Sequence, residues 1–144
     1  MSLKDIMTKT VVTVEADDDL WTVQEIFLQH RFHHLLVLEH GKVFGIVSDR
    51  DLLKALSPNL GTNVETPKDL ATLNKKVHHI MSRKPLVLKE DASIFDAVDL
   101  FNNNTISCIP VVDDQMRPVG IISWRDILRA IGTRRSLREE QGRK

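Results

Sequence analysis

Ser48 and Asp51 stand three residues apart in GIVSDRDLLKAL (45–56), and Ser123 and Asp126 keep that spacing in GIISWRDILRAI (120–131). The two segments share seven of twelve residues; four more are exchanges within Val/Ile/Leu or Lys/Arg, and only Asp49 and Trp124 differ in kind. Two chemistries fit the pattern. Ahead of an apolar run, S-x-x-D is a capping box, in which the hydroxyl accepts from the N3 amide and the acid reaches back to the Ser N–H. The same place gathers unpaired N–H groups and the positive end of the helix dipole, where phosphates and hydroxyl-rich ligands bind. Spacing alone leaves both readings open.

Other reactive side chains are less well placed. Of the six histidines, His33-His34 and His78-His79 are adjacent. Neighbours point opposite ways on a strand and about 100° apart on a helix, and there is no H-E-x-x-H. No metal site is expected. Cys108, alone in an apolar stretch, reads as a small buried hydrophobe rather than a nucleophile. Asp51 and Asp126 make no catalytic pair if they occupy separate clefts. The expected class is a binding protein rather than an enzyme, with no resident cofactor.

Composition narrows the setting. Among 144 residues, 42% are hydrophobic and 28% charged, as in a globular domain. Twenty basic and twenty acidic side chains cancel, which argues for neither nucleic acid nor an anionic membrane as partner. With no long apolar run, no leader-like start and a single cysteine, the expectation is a cytoplasmic protein.

The elements that must position the S-x-x-D segments are themselves doubled. A shift of 74 residues lays Ile6–Asp17 over Ile80–Asp91, Leu20-Trp21 over Ile94-Phe95 and Val37-Leu38 over Val111-Val112. One inserted residue in DDQMRP then brings Gly45 over Gly120. Each copy reads as β-α-β-β-α, an α/β (α+β) unit. Val11–Val14 and Leu86–Leu88 are β-rich. Asp19 and Ser93 are N-caps for helices with apolar faces, a turn falls at His40–Lys42, and a second helix follows from Asp51 or Asp126. The divisions are repeat 1 at 1–56, a linker at 57–76, repeat 2 at 77–131 and a charged tail at 132–144. The linker carries a helix start at Thr66-Pro67, expected to run to about Lys76. The tail reads as a frayed, solvated end. Two units this small are expected to pack face to face over one shared core.

The G-h-h-S-x-R-D endings, the I-M-[TS] openings at Ile6 and Ile80, and SCIPVVD (107–113) together resemble the cystathionine-β-synthase (CBS) domain family. Two copies in one chain resemble a CBS pair, which implies pseudo-two-fold symmetry. It also implies two clefts for adenosine-containing ligands such as AMP, ADP, ATP or S-adenosylmethionine. Carried over, Ser123, Arg125, Asp126 and Ile121 serve a site walled by Thr8, Thr13, Phe32 and His33. Ser48, Arg50, Asp51 and Ile46 serve the mirror site, walled by Ser82, Val87, Ile106 and Ser107. A carboxylate accepts hydrogen bonds from both ribose hydroxyls, Phe32 or Ile106 with Ile121 or Ile46 sandwiches a purine, and the arginines reach phosphate. The family's Ile-Pro is intact at Ile109-Pro110 but is Leu35-Leu36 in repeat 1, so the two sites should be unequal. The resemblance further implies a homodimer, with Leu20, Trp21, Val23, Leu52, Leu56, Ile94, Phe95 and Ile127 supplying apolar helix faces, and a signal passed to a regulated protein. The alternative is a structural pair that binds no nucleotide and acts through protein contacts.

Overall fold

The computed structural model describes residues 2–142, for 136–141 the backbone alone. In chain order the elements are α1 (Leu3–Ile6), β1 (Thr13–Glu15), α2 (Leu20–Gln29), β2 (His34–Glu39), β3 (Lys42–Ser48), α3 (Asp49–Ala55), α4 (Pro67–Leu70), β4 (Ser82–Arg83), β5 (Leu88–Lys89), α5 (Ile94–Asn103), β6 (Cys108–Val112), β7 (Pro118–Ser123) and α6 (Trp124–Gly142). The β-α-β-β-α order holds twice. The first strand of each repeat starts about two residues later than its β-rich run suggests. Among the described residues no helix is long and apolar enough to cross a membrane.

The helices form where caps and apolar spacing coincide. Asp19 accepts from Thr22 N–H at 3.1 Å, and Leu20 and Val23 bury the inner face of α2. Ser93 and Asp96 make a reciprocal capping box, and Ile94, Ala97 and Phe101 are buried along α5. Between β2 and β3 the two-residue turn His40-Gly41 has both φ angles positive, 54° and 77°, the form whose twist matches a hairpin. The inserted residue of the second repeat lengthens that turn. There Asp113 ties it by accepting from Gln115 N–H, Arg117 N–H and Arg117 Nε, and Met116 takes the positive φ of 64°.

The compact units do not coincide with the repeats. One is Val12–Pro85; the other joins Met1–Val11 to Leu86–Lys144. Each I-M-[TS] opening therefore belongs with the other repeat's sheet. In the first unit the order is β1-β2-β3-β4, with Ile46 paired to Ser82 and Gly45 to Arg83. In the second, β5-β6-β7 is extended by Thr8, whose backbone exchanges hydrogen bonds of 2.9 and 3.0 Å with Ile121. The doubled glycine explains the placement. A Cβ on Gly45 would lie 2.7 Å from Met81 Sδ and 2.8 Å from the Ser82 carbonyl oxygen, and one on Gly120 would lie 2.5 Å from Met7 Sδ. The Met of each opening thus packs where only glycine leaves room.

Each unit has its own core, which corrects the expectation of a single shared one. Leu35, Val37, Val47 and Val77 centre the first; Leu3, Ile109, Val111 and Ile122 centre the second. The borrowed opening lets a unit this small close over its own sheet. Two further expectations are revised. The linker helix begins at the Thr66 cap with Pro67 at its first turn, but α4 ends at Leu70 and tightens into a 3₁₀ turn, Ala71–Asn74, that buries Leu73. The stretch 132–142 is not frayed: α6 continues through it to Gly142. In repeat 1 the corresponding residues are Ser57-Pro58, and Pro58 blocks a helix that Gly132-Thr133 permits.

Candidate functional site

At the head of α3, Ser48 N–H donates to Asp51 Oδ2 at 2.9 Å and Asp51 N–H donates to Ser48 Oγ at 3.0 Å. At the head of α6 the same pair of bonds joins Ser123 and Asp126 at 2.9 and 3.4 Å. The capping reading is therefore correct for both copies. It does not exhaust either carboxylate, because the cap uses Oδ2 and each oxygen has two lone pairs. Asp126 Oδ1 accepts only a long 3.4 Å bond from Thr8 Oγ1 and lies 4.0 Å from Arg129 Nη1. Asp126 is 8% exposed, the one charged residue among the buried ones described, and it faces a recess of about 330 Å³ between α1 and α6. Such a group in a protein interior is costly unless it is bonded, and here the cap and Thr8 offset that cost.

The two copies differ. Asp51 is only half-buried, and among the described residues Ser82 makes no side-chain bond to it. Position 49 is where the doubled segments differ in kind, and it decides the surroundings. Asp49 Oδ2 meets His33 Nδ1 at 2.9 Å, a contact the sequence reading missed, although Asp49 and Trp124 being unlike was its signal. Burial pushes the Asp49 carboxyl up, but the His33 bond, the Arg50 N–H and the charges of His33 and His34 outweigh it and hold it below its ordinary value. In repeat 2, Trp124 instead packs on Phe101 with ring centres 4.8 Å apart.

The units divide the expected site residues. One carries Thr8, Val87, Ile106, Ser107, Ile121, Ser123, Arg125 and Asp126; the other carries Thr13, Phe32, His33, Ile46, Ser48, Arg50, Asp51 and Ser82. Within them Thr8 joins Asp126 through its hydroxyl and Ile121 through its backbone, and Ser82 pairs with Ile46 in the sheet. Phe32 stacks on His30 at 5.3 Å. The Leu35-Leu36 difference acts at the edge strand. Leu36 N–H donates to the Val12 carbonyl and β1 makes three pairs with β2; Pro110 has no N–H and β5 makes two with β6. Burial pushes the Cys108 thiol up to about 12, as suits a small hydrophobe.

His34 carries a pH prediction. Burial lowers its pKa, with His33 adding to that effect while Asp49 and Asp51 oppose it. A base with a depressed folded value takes up protons more readily when unfolded, so stability is lost as pH falls through about 6.5. Asp49, held low, loses its contribution at still lower pH, in the same direction. Urea unfolding at pH 7 and pH 5 is expected to show the loss, and His34→Gln is expected to reduce it. An equal drop in both proteins would exclude His34 as the source.

Two β-α-β-β-α repeats, each ending in a capped S-x-x-D helix start, define a tandem α/β module. The chain belongs to the CBS domain family, which matches residues 3–58 and 77–133. It is 32% identical over 131 residues to L-aspartate semialdehyde sulfurtransferase of Methanocaldococcus jannaschii, covering 90% of this chain but 23% of that protein. It is also 32% identical over 154 aligned positions to protein MJ1426 of the same organism, covering 91% of each. Among solved structures, the CBS domain pair of protein MJ0100 in complex with 5′-methylthioadenosine and S-adenosyl-L-methionine is 30% identical. Its TM-score is 0.76, with 93% of this chain and 98% of that one covered.

Proposed function

We propose that the chain is a regulatory module that binds an adenosine-containing ligand (AMP, ADP, ATP or S-adenosylmethionine) at its S-x-x-D helix starts, and is not a catalyst. The observation that carries the reading is Asp126. Its capping duty falls on Oδ2, and the nearly buried residue lines a recess where ribose hydroxyls can donate to Oδ1. The MJ0100 pair, similar over almost its whole length, was solved with two adenosine compounds. Thr13, Phe32 and His33 for one site, and Val87, Ile106 and Ser107 for the other, remain the base-contacting residues that the family resemblance assigns. The test is a thermal-shift screen against adenosine nucleotides, S-adenosylmethionine and NAD. A ligand at a hundred times its Kd adds about 2.7 kcal/mol of stability. No shift with any of them at millimolar concentration would sink the reading.

A second reading, assembly through helix faces, rests on apolar exposure. Leu20, Val23, Leu52, Ile94 and Ile127, expected to face a partner, are covered within the chain. Trp21 and Phe95 are exposed, at 44% and 71%, and so are Leu28, Leu53, Leu128 and Ile131. Large apolar side chains mark an interface where they form a continuous exposed patch. A homodimer is the expected state, and it is compatible with ligand binding. Sedimentation at tens of micromolar should give the mass of two chains; a monomer throughout would remove this part.

A further inference from the structure

Asp126, Arg129, Ala130, Thr133 and Arg134 fall at i, i+3, i+4, i+7 and i+8, a single face of α6, and all line the recess opposite Asp5 and Ile6. The last of them lies beyond residue 133, where the family match ends. It is in place only because the helix runs on past the end of the repeat. Repeat 1 offers no equivalent. There α3 stops at Ala55, Lys54 and Asn59 hold the positions of Arg129 and Arg134, and Asp49 adds a carboxylate.

The charges around the recess are arranged rather than merely balanced. Asp5 Oδ2 is taken up by the Ser2 N–H and hydroxyl at 3.3 Å each, and Asp126 Oδ2 by the cap. Arg129 makes only the 4.0 Å approach to Asp126, and Arg134 has no ion pair among the described residues. Arg129 and Arg134, five residues and about 7.5 Å apart along the helix axis, with the ribose acceptor at the near end, match a ligand that is hydroxyl-rich at one end and anionic at the other.

We propose that this helical extension makes the Asp126 site select adenosine ligands with an anionic 5′ group, a phosphate, held by Arg129 and Arg134. The proposal rests on the adenosine reading above and adds to it which ligands the site prefers. Adenosine and 5′-methylthioadenosine are uncharged, AMP supplies a phosphate, and S-adenosylmethionine is a net cation, its sulfonium and ammonium outweighing its carboxylate. Calorimetry on the full chain with these four compounds separates them. AMP is expected to bind about tenfold or more tighter than the other three compounds, the gain of a charge-assisted contact. That advantage should shrink as salt rises from about 0.05 to 0.5 M. Arg134→Gln should remove most of it while the Kd for adenosine moves less than about twofold, Arg129→Gln should weaken AMP more than adenosine, and Arg134→Lys, which keeps the charge, should restore part of what Arg134→Gln removes. Helicity and melting temperature confirm that the variants fold. If AMP binds no better than adenosine, or if the Arg variants weaken all four alike, the selectivity is overturned and adenosine binding stands. If none of the four binds, both fall.

Discussion

Asp126→Asn is expected to weaken binding of any adenosine-containing ligand by about ten- to a hundredfold, the cost of about 1.5–3 kcal/mol for a hydrogen bond to a charged group. The fold should lose far less. Asn keeps a carbonyl oxygen that can accept the Ser123 N–H in place of Asp126 Oδ2, so the cap is weakened rather than removed, at about 0.5–1 kcal/mol. The split between a large binding effect and a small stability effect distinguishes a ligand group from a cap. Asp51→Asn should show a smaller binding effect, because Asp51 is less buried and stands in the field of Asp49, which a polyanionic ligand would meet first. Calorimetry paired with urea unfolding reads both quantities on the same protein. An unchanged Kd in both single variants would leave the S-x-x-D segments with capping as their whole role.

The second large effect concerns stability. Gly45→Ala is expected to cost about 3 kcal/mol and Gly120→Ala about 1–2 kcal/mol, at the upper and middle range for overpacking. The difference comes from what the new methyl meets. At Gly120 the three nearest atoms all belong to the Met7 side chain, which has rotatable bonds and can move aside. At Gly45 one of them is the Ser82 carbonyl oxygen, fixed by the β3–β4 pairing. Met7→Ala should therefore rescue Gly120→Ala, whereas Met81→Ala should rescue Gly45→Ala only in part. Urea midpoints of the single and double variants give the coupling directly. Equal losses at the two glycines, or full rescue at Gly45, would show that the carbonyl yields after all.

What the residues revealed beforehand was mostly local. The S-x-x-D boxes, the Asp19 and Ser93 caps and the His40-Gly41 turn each depend on neighbours within four positions, and each formed as spacing requires. Placement across the chain was harder to read. Nothing within Ile6–Thr8 says which sheet the opening joins; that is settled by Met7 finding Gly120, more than a hundred residues away. The His33–Asp49 contact and the recess between α1 and α6 are products of the same long-range packing. The extension of α6 was missed for a different reason. Its arginines and glutamates carry no apolar stripe to mark a helix, while the informative feature was an absence, the lack of a residue like Pro58 after Ile131.

The exchange of openings also fixes an order of events during synthesis. Leu3–Thr8 are made before Val12–Pro85, yet their partners, from Glu90 and Ala92 to Ile121, are made after it. The unit formed by Val12–Pro85 is complete as soon as Ser82 and Arg83 emerge, and it can fold while the rest is still being made. The N-terminal segment must meanwhile wait with Leu3 and Met7 uncovered, closing a loop that already contains a folded unit. Its docking is a long-range closure around a folded unit, the kind of contact whose entropy cost slows folding.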